Sequence, residues 1–186
     1  MNLPNKITLL RVVLIPAFLV VYLLNPLPDI LNMWLVLVLF VTAAITDAVD
    51  GYLARKLGLV TNIGKLMDPL ADKLLVCGAL VALVYTGEVA VWAVIIIIAR
   101  EFYISGLRQL ALEQNVVLAA TTSGKVKVAT QLTLIIYILV PPPFTILVFP
   151  QIIMALAVIA TLVSVYSAVD YTWKNMGLFK KEKNDD

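Results

Sequence analysis

Six stretches of this chain are apolar over roughly the length needed to cross a bilayer, and nothing else in the sequence narrows the fold so far. They cover residues 7–24, 31–55, 65–85, 89–112, 126–140 and 146–173. A helix spanning the hydrocarbon needs about 20 mostly apolar residues. The separators carry turn chemistry: Asn25-Pro26-Leu27-Pro28, residues 58–64, Thr86-Gly87, residues 115–124, and Pro141-Pro142-Pro143. The proline run is the firmest boundary, because its members have no N–H to donate to a helical hydrogen bond. Composition agrees. Of 186 residues, 62% are hydrophobic and 14% charged, against roughly a quarter charged in a soluble domain, and mean hydropathy is +0.99. Such a surplus has no aqueous core to fill, so a bilayer is its natural solvent. No small-residue cleavage site follows Leu24, so the first run reads as a span and not as a cleaved signal. There is no internal repeat. The expectation is a single membrane domain over residues 1–186, with residues 175–186 a polar cytoplasmic tail.

The basic residues set the orientation. With the N-terminus in the cytoplasm, the outward loops are residues 25–30, 86–88 and 141–145, which hold Asp29 and Glu88 but no lysine or arginine. Of the fourteen lysines and arginines, all then fall in inward loops, tails or the span segments nearest them, with Arg100 the deepest, well inside the fourth span. The expected fold is therefore all-α and integral to the membrane: six transmembrane helices, both termini cytoplasmic, multi-pass in the cell membrane. A net charge of +2 gives no reason to expect nucleic acid as a partner. A single cysteine, Cys77, excludes an intrachain disulfide and a cysteine zinc cluster. The absence of histidine removes histidine acid–base catalysis, histidine metal ligands and the usual triads. Carboxylates are left to carry the chemistry.

They are concentrated around the loop between the second and third spans, where the sequence reads Asp47-Ala-Val-Asp50-Gly51-Tyr-Leu-Ala54-Arg55, eight residues, then Gly64-Lys-Leu-Met-Asp68-Pro-Leu-Ala-Asp72. Helical spacing puts Asp47 and Asp50 on one face, and Asp68 and Asp72 on one face of the next helix. Two antiparallel helices joined there can turn the pairs toward each other. Four converging carboxylates at a membrane edge raise one another's pKa, and desolvation adds to that. Two divalent cations would offset the four charges, and hard ions suit oxygen ligands. Such ions polarise phosphoryl groups and stabilise entering and leaving oxygens. Gly51, Ala54 and Gly64 permit close approach of a helix or a bulky substrate. Any one aspartate alone would read as a helix-end charge paired to Arg55, Lys56, Lys65 or Lys73. Four at these spacings, flanked by glycine on both helices, read as a site.

This pattern resembles the signature of the CDP-alcohol phosphotransferases and matches it at every fixed position. The resemblance implies a six-helix membrane fold, usually a homodimer, with a site for two divalent cations, Mg²⁺ or Mn²⁺, open to the cytoplasm. It implies transfer of a phosphatidyl or similar group from a CDP-linked donor to an alcohol, with release of CMP. Carried over by position, Asp47, Asp50, Asp68 and Asp72 would be metal ligands, with Asp72 also the general base for the acceptor hydroxyl. Gly51, Ala54, Arg55 and Gly64 would help to seat the cytidine nucleotide.

Two further groups of polar residues stand in apolar surroundings. Asn5, Thr8 and Arg11 recur every three residues at the start of the first span. On spacing alone they read equally as a helix cap with a snorkelling arginine. The bacterial phosphatidylglycerophosphate synthase branch of the family begins similarly, and that resemblance puts them beside the nucleotide. Arg100 and Glu101 lie halfway along the fourth span, with Glu101, Ser105 and Arg108 on one stripe. One reading is an ion pair that holds the bundle together. The other is an anion pocket, with Arg108, Lys125 and Lys127 supplying three cations on the same side and Arg100 beside them. Arg-Glu-Phe…Ser-Gly-Leu-Arg followed by Ser-Gly-Lys-x-Lys resembles the same branch, departing from it at Val128. Serine or inositol would need less positive charge than a phosphorylated alcohol, so the expected acceptor is sn-glycerol 3-phosphate and the donor CDP-diacylglycerol. Phosphatidylinositol-phosphate, cardiolipin and phosphatidylserine synthases remain the alternatives within the family. A metal-dependent membrane prenyltransferase would place its aspartate pairs on more distant helices. A cation transporter would need polar groups through both halves of the membrane.

Overall fold

The computed structural model describes residues 3–57, 62–114, 116, 118, 121–141, 144 and 148–176, with the backbone alone for residues 3–9, 47–57 and 62–72. The described residues form six α-helices and no strand: α1 (Leu3–Leu24), α2 (Asp29–Leu57), α3 (Asn62–Tyr85), α4 (Val91–Glu113), α5 (Thr122–Leu139) and α6 (Pro150–Lys174). Two stretches, Asp29–Thr46 and Pro150–Lys174, are by length and composition apolar enough to cross a membrane; Leu10–Leu24 and Lys73–Tyr85 are shorter apolar stretches. The helices group into two compact units.

The first unit comprises residues 1–88 and 135–150. Its helix ends follow from local chemistry. At the end of α1, Asn25 takes a left-handed conformation (φ 45°) and its N–H bonds the Val21 carbonyl at 3.2 Å; asparagine tolerates that conformation, and Pro26 then prevents the helix from continuing. Asn25 Nδ2 donates to Asp29 Oδ1 at 3.1 Å, which ties the turn to the first residue of α2. Asn32 Nδ2 donates to the Val21 carbonyl at 3.2 Å and holds α2 against α1. At the end of α3, Gly87 has φ +80°, its N–H bonds the Val84 carbonyl at 3.0 Å and the Glu88 N–H bonds the Leu83 carbonyl at 2.9 Å. This is the Schellman arrangement, and it requires a residue without a Cβ penalty in the left-handed region. Inside the unit, α1 packs on α2 and α3. Phe18 stacks on Tyr22 with centroids 5.9 Å apart and meets Phe40 of α2 at 5.5 Å. The Tyr22 hydroxyl and Thr86 Oγ1 are 2.9 Å apart, linking the ends of α1 and α3.

The second unit comprises residues 89–134 and 151–186. The buried face of α4 is Ala93, Val94, Ile97, Glu101, Ile104, Leu107 and Ala111, spaced as one stripe of a helix. The buried face of α6 is Ile153, Ala157, Ala160, Thr161, Ser164, Ser167 and Tyr171, a run of small and polar residues that lets helices approach closely and hydrogen-bond across the contact. Gln131 of α5 donates through Nε2 to Ser164 Oγ at 3.2 Å.

Every helix start differs from its apolar run, by two residues in α2 and α4 and by three or four in the others; α1 begins at Leu3, four residues before its run. α3 begins at Asn62, so Gly64 lies in its first turn and not in the preceding turn. α5 begins at Thr122, four residues before the apolar run, because Thr121 Oγ1 accepts the Gly124 N–H at 3.3 Å, a side-chain cap for an otherwise unsatisfied donor. α6 begins at Pro150, four residues after the expected start, as suits a residue whose missing N–H costs nothing in a first turn.

Candidate active site

Asp47, Asp50, Gly51, Ala54 and Arg55 all lie in α2, and Gly64, Asp68 and Asp72 all lie in α3. Both members of each aspartate pair therefore sit on helical backbone, where spacings of three and four residues share a face. Their side chains fall outside the described residues, as do those of Asn5 and Thr8 in the first turns of α1. Among the described residues no group of three histidine, cysteine or acidic side chains is placed to hold a metal. The donor set that fits divalent ions is the one on α2 and α3: aspartates on consecutive helices, with no histidine or cysteine in the motif, which suits hard cations that take oxygen. Arg11 is wholly buried. An arginine enclosed to that degree needs acceptors around its guanidinium, which separates it from a side chain reaching out to water.

The second unit holds the cations of α4 and α5. Glu101 Oε1 binds Lys127 Nζ, and Arg100 Nη1 lies 3.3 Å from the same oxygen. Arg100 Nη2 donates to Ser167 Oγ at 2.7 Å. One buried carboxylate thus joins the buried Lys127 and the half-buried Arg100, and α4 is stitched to α5 and α6. Removing either sign from such a cluster would leave a charge enclosed without its counter-charge. Arg108 is exposed at the level of its residue, yet its guanidinium is held: Nε donates to the Tyr171 hydroxyl at 3.1 Å, and the guanidinium carbon lies 5.5 Å from the centre of the same ring. Lys125 is exposed whereas Lys127 is buried; residues two apart on a helix point to opposite sides, so these two lysines do not share a face of α5. Arg100 and Lys127 are brought together on Glu101, and Arg108 is brought to Tyr171.

Near the last turn of α6, Asp170 accepts from Ser123 Oγ at 2.6 Å and pairs with Lys174 at 2.7 Å. The Lys174 pair is the i,i+4 arrangement expected of a helix end. Ser167 and Tyr171 are partners that reading the sequence for charged and catalytic residues passes over. Their signal is present all the same: Ser164, Ser167 and Tyr171 recur at three and four residues within a span that is otherwise apolar.

Six helices with carboxylate pairs on two successive ones describe a class, and the chain's similarity to known proteins says which. A family model described as CDP-alcohol phosphatidyltransferase matches residues 1–163, and the chain belongs to this family. It is 42% identical to a Bacillus subtilis (strain 168) protein named CDP-diacylglycerol–glycerol-3-phosphate 3-phosphatidyltransferase, over 96% of this chain and 97% of that one. A Rickettsia bellii (strain RML369-C) protein of the same name is 41% identical over 70% of this chain and 71% of its own. A Mycobacterium tuberculosis (strain ATCC 25618 / H37Rv) protein named as a probable phosphatidylglycerophosphate synthase is 35% identical over 91% of this chain and 79% of its own.

Proposed function

We propose that this protein is a transferase of phospholipid biosynthesis that moves the phosphatidyl group of CDP-diacylglycerol to sn-glycerol 3-phosphate, giving phosphatidylglycerophosphate and CMP. The observation that carries this reading is identity of 42% across nearly the full length of both chains to a protein named for that reaction. The aspartate pattern on α2 and α3 supplies the chemistry such a reaction needs.

Asp72 takes the proton from the 1-hydroxyl of glycerol 3-phosphate. That oxygen attacks the lipid-side phosphorus of the donor, the bond from this phosphorus to the bridging oxygen breaks, and CMP leaves in a single displacement. Asp47, Asp50, Asp68 and Asp72 would hold two divalent cations, Mg²⁺ or Mn²⁺, which offset the charge of the diphosphate and of the departing CMP. Asn5, Thr8, Arg11, Gly51, Ala54, Arg55 and Gly64 seat the cytidine nucleotide, and Arg100, Arg108, Lys125 and Lys127 draw the acceptor phosphate. A covalent phosphatidyl intermediate is disfavoured, because the aspartate motif contains no serine, cysteine or histidine to serve as nucleophile. The protein works as a homodimer among membrane lipids, with six spans, both termini and the site on the cytoplasmic side; the distribution of lysine and arginine supports that orientation.

CMP release from purified protein with CDP-diacylglycerol, Mg²⁺ or Mn²⁺ and a panel of alcohols tests the reading. Release is expected with glycerol 3-phosphate, with loss on chelation and on Asp72→Asn. No CMP with any acceptor sinks the enzyme reading; release with serine or inositol phosphate but not glycerol 3-phosphate keeps the family and overturns the acceptor.

A further inference from the structure

The cations assigned to the acceptor phosphate are not in equivalent states. Arg100 and Lys127 both bind the Glu101 carboxylate. Lys125 is an exposed side chain on a flexible stem. Arg108 differs from all three. Its Nε is occupied by the Tyr171 hydroxyl at 3.1 Å and its guanidinium lies against the Tyr171 ring at 5.5 Å. Its two Nη groups meet no hydrogen-bond acceptor among the described residues. The planar fork offers two edges for a bidentate partner, and engaging Nε leaves the edge formed by Nη1 and Nη2.

Tyr171 is itself fixed. It is 1% exposed and packs with Ile104 and Leu107, against Leu118 and Ala168. Its backbone carbonyl accepts Asn175 Nδ2 at 2.7 Å. A hydrogen bond and a ring contact from one immobile residue restrain both the position and the plane of the guanidinium. A free arginine gives up rotamer freedom when it captures a phosphate, and one held in advance gives up less.

We propose that Tyr171 is a positioning residue for the acceptor: it holds Arg108 so that the Nη edge meets the phosphate monoester of the incoming alcohol. This rests on the reaction proposed above.

Steady-state kinetics of Tyr171→Phe tests this, since the variant keeps the ring and removes only the hydroxyl. The KM for glycerol 3-phosphate is expected to rise roughly tenfold, the loss of one hydrogen bond to a charged group. Both kcat and the KM for CDP-diacylglycerol should stay within about twofold on the same principle. The melting temperature in detergent should change little. Arg108→Lys lacks Nε, so adding Tyr171→Phe to it should raise the acceptor KM no further. An unchanged acceptor KM in Tyr171→Phe overturns the proposal, as does an equal rise with lysine or arginine at position 108. A loss confined to kcat and melting temperature makes Tyr171 a packing residue only. Wild-type protein that releases CMP but not with glycerol 3-phosphate overturns the acceptor reading and this proposal together, whereas an active wild type with an indifferent Tyr171→Phe overturns this proposal alone.

Discussion

A charge enclosed by apolar helices is tolerable only with a partner, and Glu101 is where this chain meets that condition for two cations at once. Its side chain is 11% exposed, and its Oε1 serves both Lys127 and Arg100. Truncating Glu101 to alanine leaves two like charges enclosed near one another without the carboxylate between them. The expected loss is about 3 kcal/mol or more, read as a fall of roughly 6–12 °C in the melting temperature of the detergent-solubilised protein. Glu101→Gln keeps the volume and a hydrogen-bond acceptor and should lose less; equal stability in wild type and Glu101→Ala would remove the cluster from the bundle's support. The residue scale also separates what spacing can reveal from what it cannot. That each aspartate pair lies on one helix is legible in the sequence, because helix periodicity alone pairs Asp47 with Asp50 and Asp68 with Asp72. The attachment of Arg108 to Tyr171 and of Arg100 to Ser167 is not, because those partners lie 63 and 67 positions away in the chain and no periodicity links them.

At the scale of the element, the middles of all six helices follow from apolarity, while their starts do not. An apolar run marks the part of a helix that avoids water; the cap that begins the helix is polar and lies outside the run. Thr121 therefore moves the start of α5 back to Thr122, and Asn62 and Gly64 enter α3 although neither is apolar. Pro150 delays α6 for the complementary reason, since it fits the first turn and not the interior. The end of α3 gives the sharpest test. Gly87 at φ +80° has nothing within 4 Å of where a Cβ would stand, so alanine there meets no clash and is disfavoured only by backbone conformation. Gly87→Ala should lower stability by about 1 kcal/mol, roughly 2–4 °C in melting temperature. The helix end of α1 supplies the internal control, because glycine in place of Asn25 keeps the left-handed turn open; a larger loss there than at Gly87 would contradict the capping account.

For the whole molecule, the single cysteine makes the orientation directly measurable. With Cys77 replaced by serine, single cysteines at Leu27 or Gly87 are expected to react with a membrane-impermeant maleimide applied to intact cells. Cysteines at Gly58 or Ala120 are expected to react only after the membrane is opened. Reaction of the second pair from outside would invert the topology and move the aspartates to the wrong side for a cytoplasmic nucleotide. A last consequence comes from the outward-facing side chains. Large apolar residues are exposed along every described helix, from Val13 and Val20 on α1 to Leu162 and Trp173 on α6. Where such a position faces lipid and not a partner copy or the donor, it is asked only to be oily, and one aliphatic side chain meets that demand as well as another. Exchanges between aliphatic side chains at lipid-facing positions should cost little, so related chains are expected to differ most there. On that view, two chains can differ at more than half of their positions, as this one does from its Bacillus relative at 42% identity, without either having had to change its chemistry.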